Sequence, residues 1–155
     1  MKMFKILFFL LGLISINCPG QNCTDFQKLD NCKLRIIYRY VIYMQHKTAE
    51  IGIHDTLIYN VAFSANRDYI ISFCTDQLYY PIHIRLLQPG TGKELYNNAS
   101  DDYNESMVIS LYNAQSIILE VKLMAKKLDK DRMKSKEKVC VGLDMQWKKI
   151  FPNLE

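Results

Sequence analysis

The sequence predicts an all-β fold: an antiparallel β-sandwich of the jelly-roll kind with about eight strands. Three observations lead there. Apolar residues recur with a period of two in successive short runs, clearest in "LIYNVAFSANRDYIISFCTDQLYYPIHIRLL" (Leu57 to Leu87). Those runs are rich in Ile, Val, Tyr and Phe, which suit a pleated, half-buried surface. Polar turns separate them at intervals of roughly ten residues. A closed barrel is the alternative closure.

The chain has 155 residues and opens with "MKMFKILFFLLGLISINCPGQ". Lys2 and Lys5 precede a mostly apolar run from Ile6 to Ile16, and small residues follow. This reads as a secretory signal peptide over residues 1–20, cleaved after Gly20, with residues 21–155 as one β-sandwich domain. The run is shorter than the roughly 20 apolar residues a membrane span needs. A second reading makes Cys18 the acylated cysteine of a lipid-anchored envelope protein. Asn17, which is not a small residue, speaks against that processing.

A short helical turn is expected around Asp25–Asn31. Leu34–Gln45 is read as a strand, because Ile, Val and Tyr crowd it, although a helical spacing partly fits. Residues 46–55 are read as a loop. Strands follow over Leu57–Phe63, Tyr69–Cys74 and Tyr80–Leu87, with "SANRD" and "TDQL" as turns between them. "QPGTGKE" is a turn with Gly90 and Gly92, and "NNASDDYNES" a polar loop. "MVISLYN" and "SIILEVKLM" are two further strands, and "AKKLDKDRMKSKEK" a charged excursion. "VCVGLDMQW" closes the domain with Val139, Val141, Leu143 and Met145 on one face.

This succession resembles small secreted β-sandwich proteins of Bacteroidota-type bacteria, to which no function is assigned. The resemblance runs over residues 34–148. It rests on the Tyr-led strand "RDYIISFC", the hairpin from Ile84 and Leu86 through Pro89, Gly90, Gly92 and Lys93 to Leu95, and the element Cys140, Val141, Gly142, Leu143. The layout is also similar to the bacterial prepeptidase C-terminal domain, a jelly roll appended to secreted enzymes. The resemblance implies fold and export, not activity.

Charge and cysteine content bound the function. The formal charge is +4, and removing Lys2 and Lys5 leaves about +2, too weak a field for a nucleic-acid partner. Membrane contact is expected only through the signal peptide or a lipid anchor. Cys23, Cys32, Cys74 and Cys140 remain after cleavage, an even number in an exported chain, and predict two disulfides. The pairing Cys23–Cys32 with Cys74–Cys140 is favoured, the first as a local loop and the second as a tie between strands. A zinc site is the rival, but the four contain no C-x-x-C and no nearby histidine.

Few residues point to chemistry. His46, His54 and His83 form no metal-spaced pair, and no serine lies in a nucleophile elbow. A small hydrolase would need a Ser or Cys within reach of one of those histidines. Asp101, Asp102 and Glu105, with Asn97 and Asn104, offer hard oxygens to calcium, which takes about six to eight; the same residue types serve turns for backbone reasons. Tyr79 and Tyr80 at a loop edge are the nearest feature to a glycan-stacking platform, with edge packing as the alternative. Asn22, Asn98 and Asn104 head N-x-S/T sequons. Lys126 to Lys138 holds seven Lys or Arg and three acids, and reads as a mobile, water-facing tip or a contact for an anionic surface. The function these features suggest is non-catalytic binding of a glycan or protein. A lipid-anchored accessory or structural envelope protein is the first alternative, and a small hydrolase the second.

Overall fold

A computed structural model describes Cys23, Cys32 and residues 36–133 and 136–150. The expected signal peptide, the acylation candidate Cys18, the helical turn at Asp25–Asn31 and the Asn22 sequon as a whole lie outside the described residues.

The described residues form eight strands: β1 Val41–Gly52, β2 Leu57–Phe63, β3 Arg67–Thr75, β4 Ile82–Leu87, β5 Glu94–Asn97, β6 Ser106–Leu111, β7 Gln115–Leu123 and β8 Lys138–Lys149. A one-turn helix, α1 Lys130–Met133, interrupts the charged excursion. The strands form two four-stranded sheets, β1-β8-β3-β6 and β2-β7-β4-β5, with every pairing antiparallel. Successive strands alternate between the sheets except at the β4–β5 hairpin, giving the double Greek-key order of a jelly roll, and neither sheet closes into a barrel.

The core lies between the sheets and follows the period of two. Tyr69, Ile71 and Phe73 of β3 and Val141, Leu143 and Met145 of β8 face Ile82, Ile84 and Leu86 of β4 and Ile117, Leu119, Val121 and Leu123 of β7, all buried. Tyr69 shows no exposed surface. Its ring meets Phe63 edge-on at 4.7 Å, and its hydroxyl accepts from the Ser64 amide at 2.8 Å, which closes the β2–β3 turn. Positive φ angles at Gly90 (80°) and Gly92 (66°) let the chain reverse between β4 and β5, where a Cβ would be strained.

Two sequence expectations need correction. β1 begins at Val41, after a turn at Tyr38–Arg39, and continues to Gly52 through the stretch expected to be loop. The reason is irregular pairing. Its register against β8 slips between Ile42 and Met44 and again between Met44 and Lys47, so apolar alternation is lost although the ladder continues. The disulfides also pair differently, as Cys23–Cys140 and Cys32–Cys74, with Cα separations of 5.7 and 5.4 Å. Cys74 and Cys140 share the outer face of the β1-β8-β3-β6 sheet, but Cys74 lies directly opposite Gly142. Cys140 is the diagonal neighbour, about 7–8 Å away, too far to bridge within a regular sheet. Each instead holds a cysteine of the N-terminal segment against that face.

Candidate functional site at one end of the sandwich

The topology gathers four connections at one end: 53–56, 76–81, 98–105 and 124–137. Each leaves an odd-numbered strand for the next even-numbered one, so all four turn at the same edge of the sandwich. Backbone bonds join them. Ala125 N–H donates to the Tyr79 carbonyl at 3.1 Å and Met124 N–H to the Pro81 carbonyl at 2.9 Å. The His54 Nε2–H donates to the Met133 carbonyl at 2.7 Å.

The loop 98–105 is the most constrained of the four. Asn98 is fully buried. Its Oδ1 accepts from Ile84 N–H at 2.8 Å, and its Nδ2 donates to the carbonyls of Ile82 at 2.9 Å and Asn104 at 3.0 Å. Beyond it, Asp102 and Tyr103 both take left-handed backbone angles, φ 47° and 57°. Tyrosine rarely adopts these, so the turn is held by its surroundings rather than by local preference. The Tyr103 ring meets His83 edge-on at 5.9 Å, and the Lys126 ammonium lies 4.5 Å from its centroid. Charge and ring thus meet across two loops. Beside them Gln77, Tyr80, Glu105 and Lys127 line a shallow depression of about 310 Å³.

The residues singled out in the sequence fall into place unevenly. Asp101, Asp102 and Glu105 are all exposed in this loop. Asp101 accepts from the Tyr96 hydroxyl at 3.2 Å, and Glu105 borders the depression. The amide oxygens of Asn97, Asn98 and Asn104 accept backbone N–H groups of Ala99, Ile84 and Ser106. Among the described residues, no three His, Cys, Asp or Glu side chains converge as metal ligands.

Tyr79 is buried, not exposed. Burial, and then the hydrogen bond and charge of Glu137, hold its phenol above the ordinary tyrosine range. It therefore anchors the basic excursion from within, through its hydroxyl at one end and its carbonyl at the other. Tyr80 is half-buried against the core. The pair accordingly presents no flat two-ring surface.

The excursion itself is not a bare tip. Leu128 and Met133 pack on the core, and the Asp129 carboxylate accepts the Arg132 N–H at 2.8 Å to start α1. The sequence marks Lys126 only as the first residue of the basic run and does not mark Tyr103 as a site residue. The only local hint was an aromatic inside a run of turn formers, and the ring–cation contact joins residues from separate loops.

No family model and no curated protein matches this chain. Among solved structures it is similar to Aeromonas hydrophila PliG, a periplasmic lysozyme inhibitor of g-type lysozyme. The sequences are 12% identical, the TM-score is 0.49, and the likeness covers 71% of this chain and 87% of that one. Likeness at that level carries no information about this chain's activity.

Two other places were candidates. The far end carries a larger depression of about 570 Å³, lined by Arg39, Val41, Asp68, Trp147, Lys148, Lys149 and Ile150. Several of the cations there are already engaged. Arg67 stacks on Trp147 at 3.7 Å, and Lys148 lies 3.4 Å from Asp68 and 4.9 Å from the Tyr40 centroid. The outer face of the β2-β7-β4-β5 sheet is likewise internally paired, with Arg85 between Glu120 and Glu94.

The histidines complete the picture. His83 donates to Asn97 Oδ1 at 2.9 Å, and His54 is committed to Met133. His46 pairs with Asp144 and sits beside Cys74, whose sulfur is bonded to Cys32. No described histidine thus faces a free thiol.

Proposed function

We propose that this protein is an exported, non-catalytic binding module that engages a protein partner through the loop end of its sandwich. One observation carries the reading: four connections converge there on a disulfide-braced scaffold. They hold Tyr80, Tyr103, Glu105, Lys126 and Lys127 around one shallow, mixed-charge surface. Loops fixed by a rigid sheet are where such scaffolds carry recognition. Aromatic and cationic groups over a flat surface suit a protein partner more than a small ligand, which favours a deep apolar pocket. A protein is preferred to a glycan because Tyr79 is withdrawn into the core. Two disulfides suit an oxidising compartment, either outside the cell or in its envelope.

The test compares surface variants as baits for proteins of the compartment into which the chain is exported. K126E/K127E and Y103A at the loop end should weaken capture of a defined partner at least tenfold. Ile58→Ser, on the exposed outer face of the β2-β7-β4-β5 sheet, should not. A partner lost equally with all three variants, or with Ile58→Ser alone, overturns the assignment of the loop end. Binding to immobilised glycans that survives K126E/K127E would favour a sugar ligand instead.

A further inference from the structure

We propose that His46 and Asp144 form a thiol-activating dyad for Cys74, making Cys74 the residue that first takes up a disulfide oxidant in the reduced chain. The site lies on the outer face of the β1-β8-β3-β6 sheet, away from the loop-end residues, and does not depend on the binding proposal.

Three strands build it. β8 contributes Gly142 and Asp144, β3 contributes Cys74 opposite Gly142, and β1 contributes His46 at its second register slip. A Cβ on Gly142 would lie 2.7 Å from Cys74 Sγ and 3.1 Å from both Cε1 and Nε2 of His46. Glycine is therefore what leaves room for both the sulfur and the imidazole edge to approach one point of the sheet. The other ring nitrogen, Nδ1, is paired with Asp144 Oδ1, and the two side chains are only 8% and 13% exposed. His46 Nε2 is buried and has no hydrogen-bond partner among the described residues. A buried, unpartnered polar atom is costly unless another state of the molecule uses it.

The order carboxylate, imidazole, sulfur is the one in which a base is oriented by an acid and faces a nucleophile. Among the described residues, the other charged groups on this face are Glu50 and Lys138, flanking Cys140, and Asp68 with Lys148 further along. Cys140 itself lies opposite Glu50 and has no such imidazole.

The chemistry balances with a low-molecular-weight disulfide as oxidant. His46 Nε2 takes the Cys74 proton, and the thiolate attacks one sulfur of the oxidant. The oxidant's S–S bond breaks, and its first thiolate leaves with that proton. Cys32 then attacks the Cys74 sulfur of the mixed disulfide, and the second thiolate leaves with the Cys32 proton. Two protein thiols are oxidised and one disulfide is reduced to two thiols.

The full chain, reduced and then exposed to oxidised glutathione with acid quenching, tests this by residue-resolved mass spectrometry. The first mixed disulfide should be on Cys74. Glutathione appearing first on Cys23, Cys32 or Cys140 overturns the proposal without any variant. In the C32S variant, iodoacetamide should alkylate Cys74 at pH 7 about tenfold faster than it alkylates Cys140 in the C23S variant. H46Q and D144N in the C32S background should remove that advantage, and either alone decides if the other fails to keep its β-sheet circular dichroism. An alkylation rate unchanged by these substitutions overturns the proposal.

Discussion

The Oδ1 of Asn98 accepts the backbone N–H of Ile84 at 2.8 Å, and this bond continues the β4 ladder past the point where β5 ends. β5 pairs with β4 only at Arg85, Leu86 and Leu87. One side-chain amide then serves Ile84 and Ile82 as a strand would, and its second N–H ties down Asn104.

Asn98→Ala should therefore cost about 3 kcal/mol, because it leaves buried backbone groups without partners. Asn98→Asp keeps the acceptor but loses both donors, so it should also destabilise the fold. Urea unfolding measures both, and a loss below about 1 kcal/mol for the alanine variant would mean that water replaces the amide. The same burial sets the fate of the sequons. In a host that glycosylates N-x-S/T, the folded product should carry glycan on exposed Asn104 and none on Asn98, as glycopeptide mass spectrometry would show.

Tyr59 presents the opposite case, a buried hydroxyl with no hydrogen-bond partner among the described residues. Tyr59→Phe should be neutral or stabilising by up to about 1 kcal/mol at pH 7. Burial also raises its pKa above the ordinary tyrosine value, as it does for Tyr43, Tyr79 and Tyr96. A phenol with a higher pKa in the folded state stays protonated while the unfolded chain ionises. Stability is thus full below about pH 10 and falls as pH rises through the folded values. Chemical denaturation at pH 8 and pH 11 should show this loss, and a smaller one in Tyr59→Phe. A phenylalanine variant that is markedly less stable at pH 7 would reveal a partner for the hydroxyl.

The disulfides differ in span, 117 residues for Cys23–Cys140 and 42 for Cys32–Cys74. On chain entropy alone, removing either should cost about 4–5 kcal/mol, and slightly more for the longer span. Guanidinium unfolding of C23S/C140S and C32S/C74S gives the comparison. A cost near zero for C23S/C140S would show that residues beyond the sheet hold the segment in place without it.

Gly142→Ala puts a methyl group 2.7 Å from Cys74 Sγ and 3.1 Å from the His46 ring. Overpacking of this kind should lower stability by about 1–3 kcal/mol. Reducing Cys32–Cys74 should recover part of the loss, because the freed thiol can rotate away. Thermal melts with and without reductant would read this, and an alanine variant as stable as the parent would show that the three-strand contact is loose.

Much of the architecture was written locally. Ile82, Ile84 and Leu86, or Val139, Val141 and Leu143, alternate because a strand buries every second side chain, and that constraint leaves its mark residue by residue. β1 left no such mark, since its register slips between Ile42 and Lys47 erase the period. The cysteine count announced two disulfides but not their partners. That choice depended on Cys74 facing Gly142 rather than Cys140, a matter of register between residues 68 apart in the sequence (142 − 74). Tyr79 and Tyr80 looked alike in sequence, yet only the core decides which ring is withdrawn.

The chain by itself thus determined the sandwich, the oxidised cysteines and the weak overall charge, all consequences of side-chain type and short-range spacing. Only the tertiary structure decided which loops share an end, which sulfur meets His46, and that Asn98 replaces a strand. Those are contacts between residues far apart in sequence, and local pattern records no trace of the distances that make them.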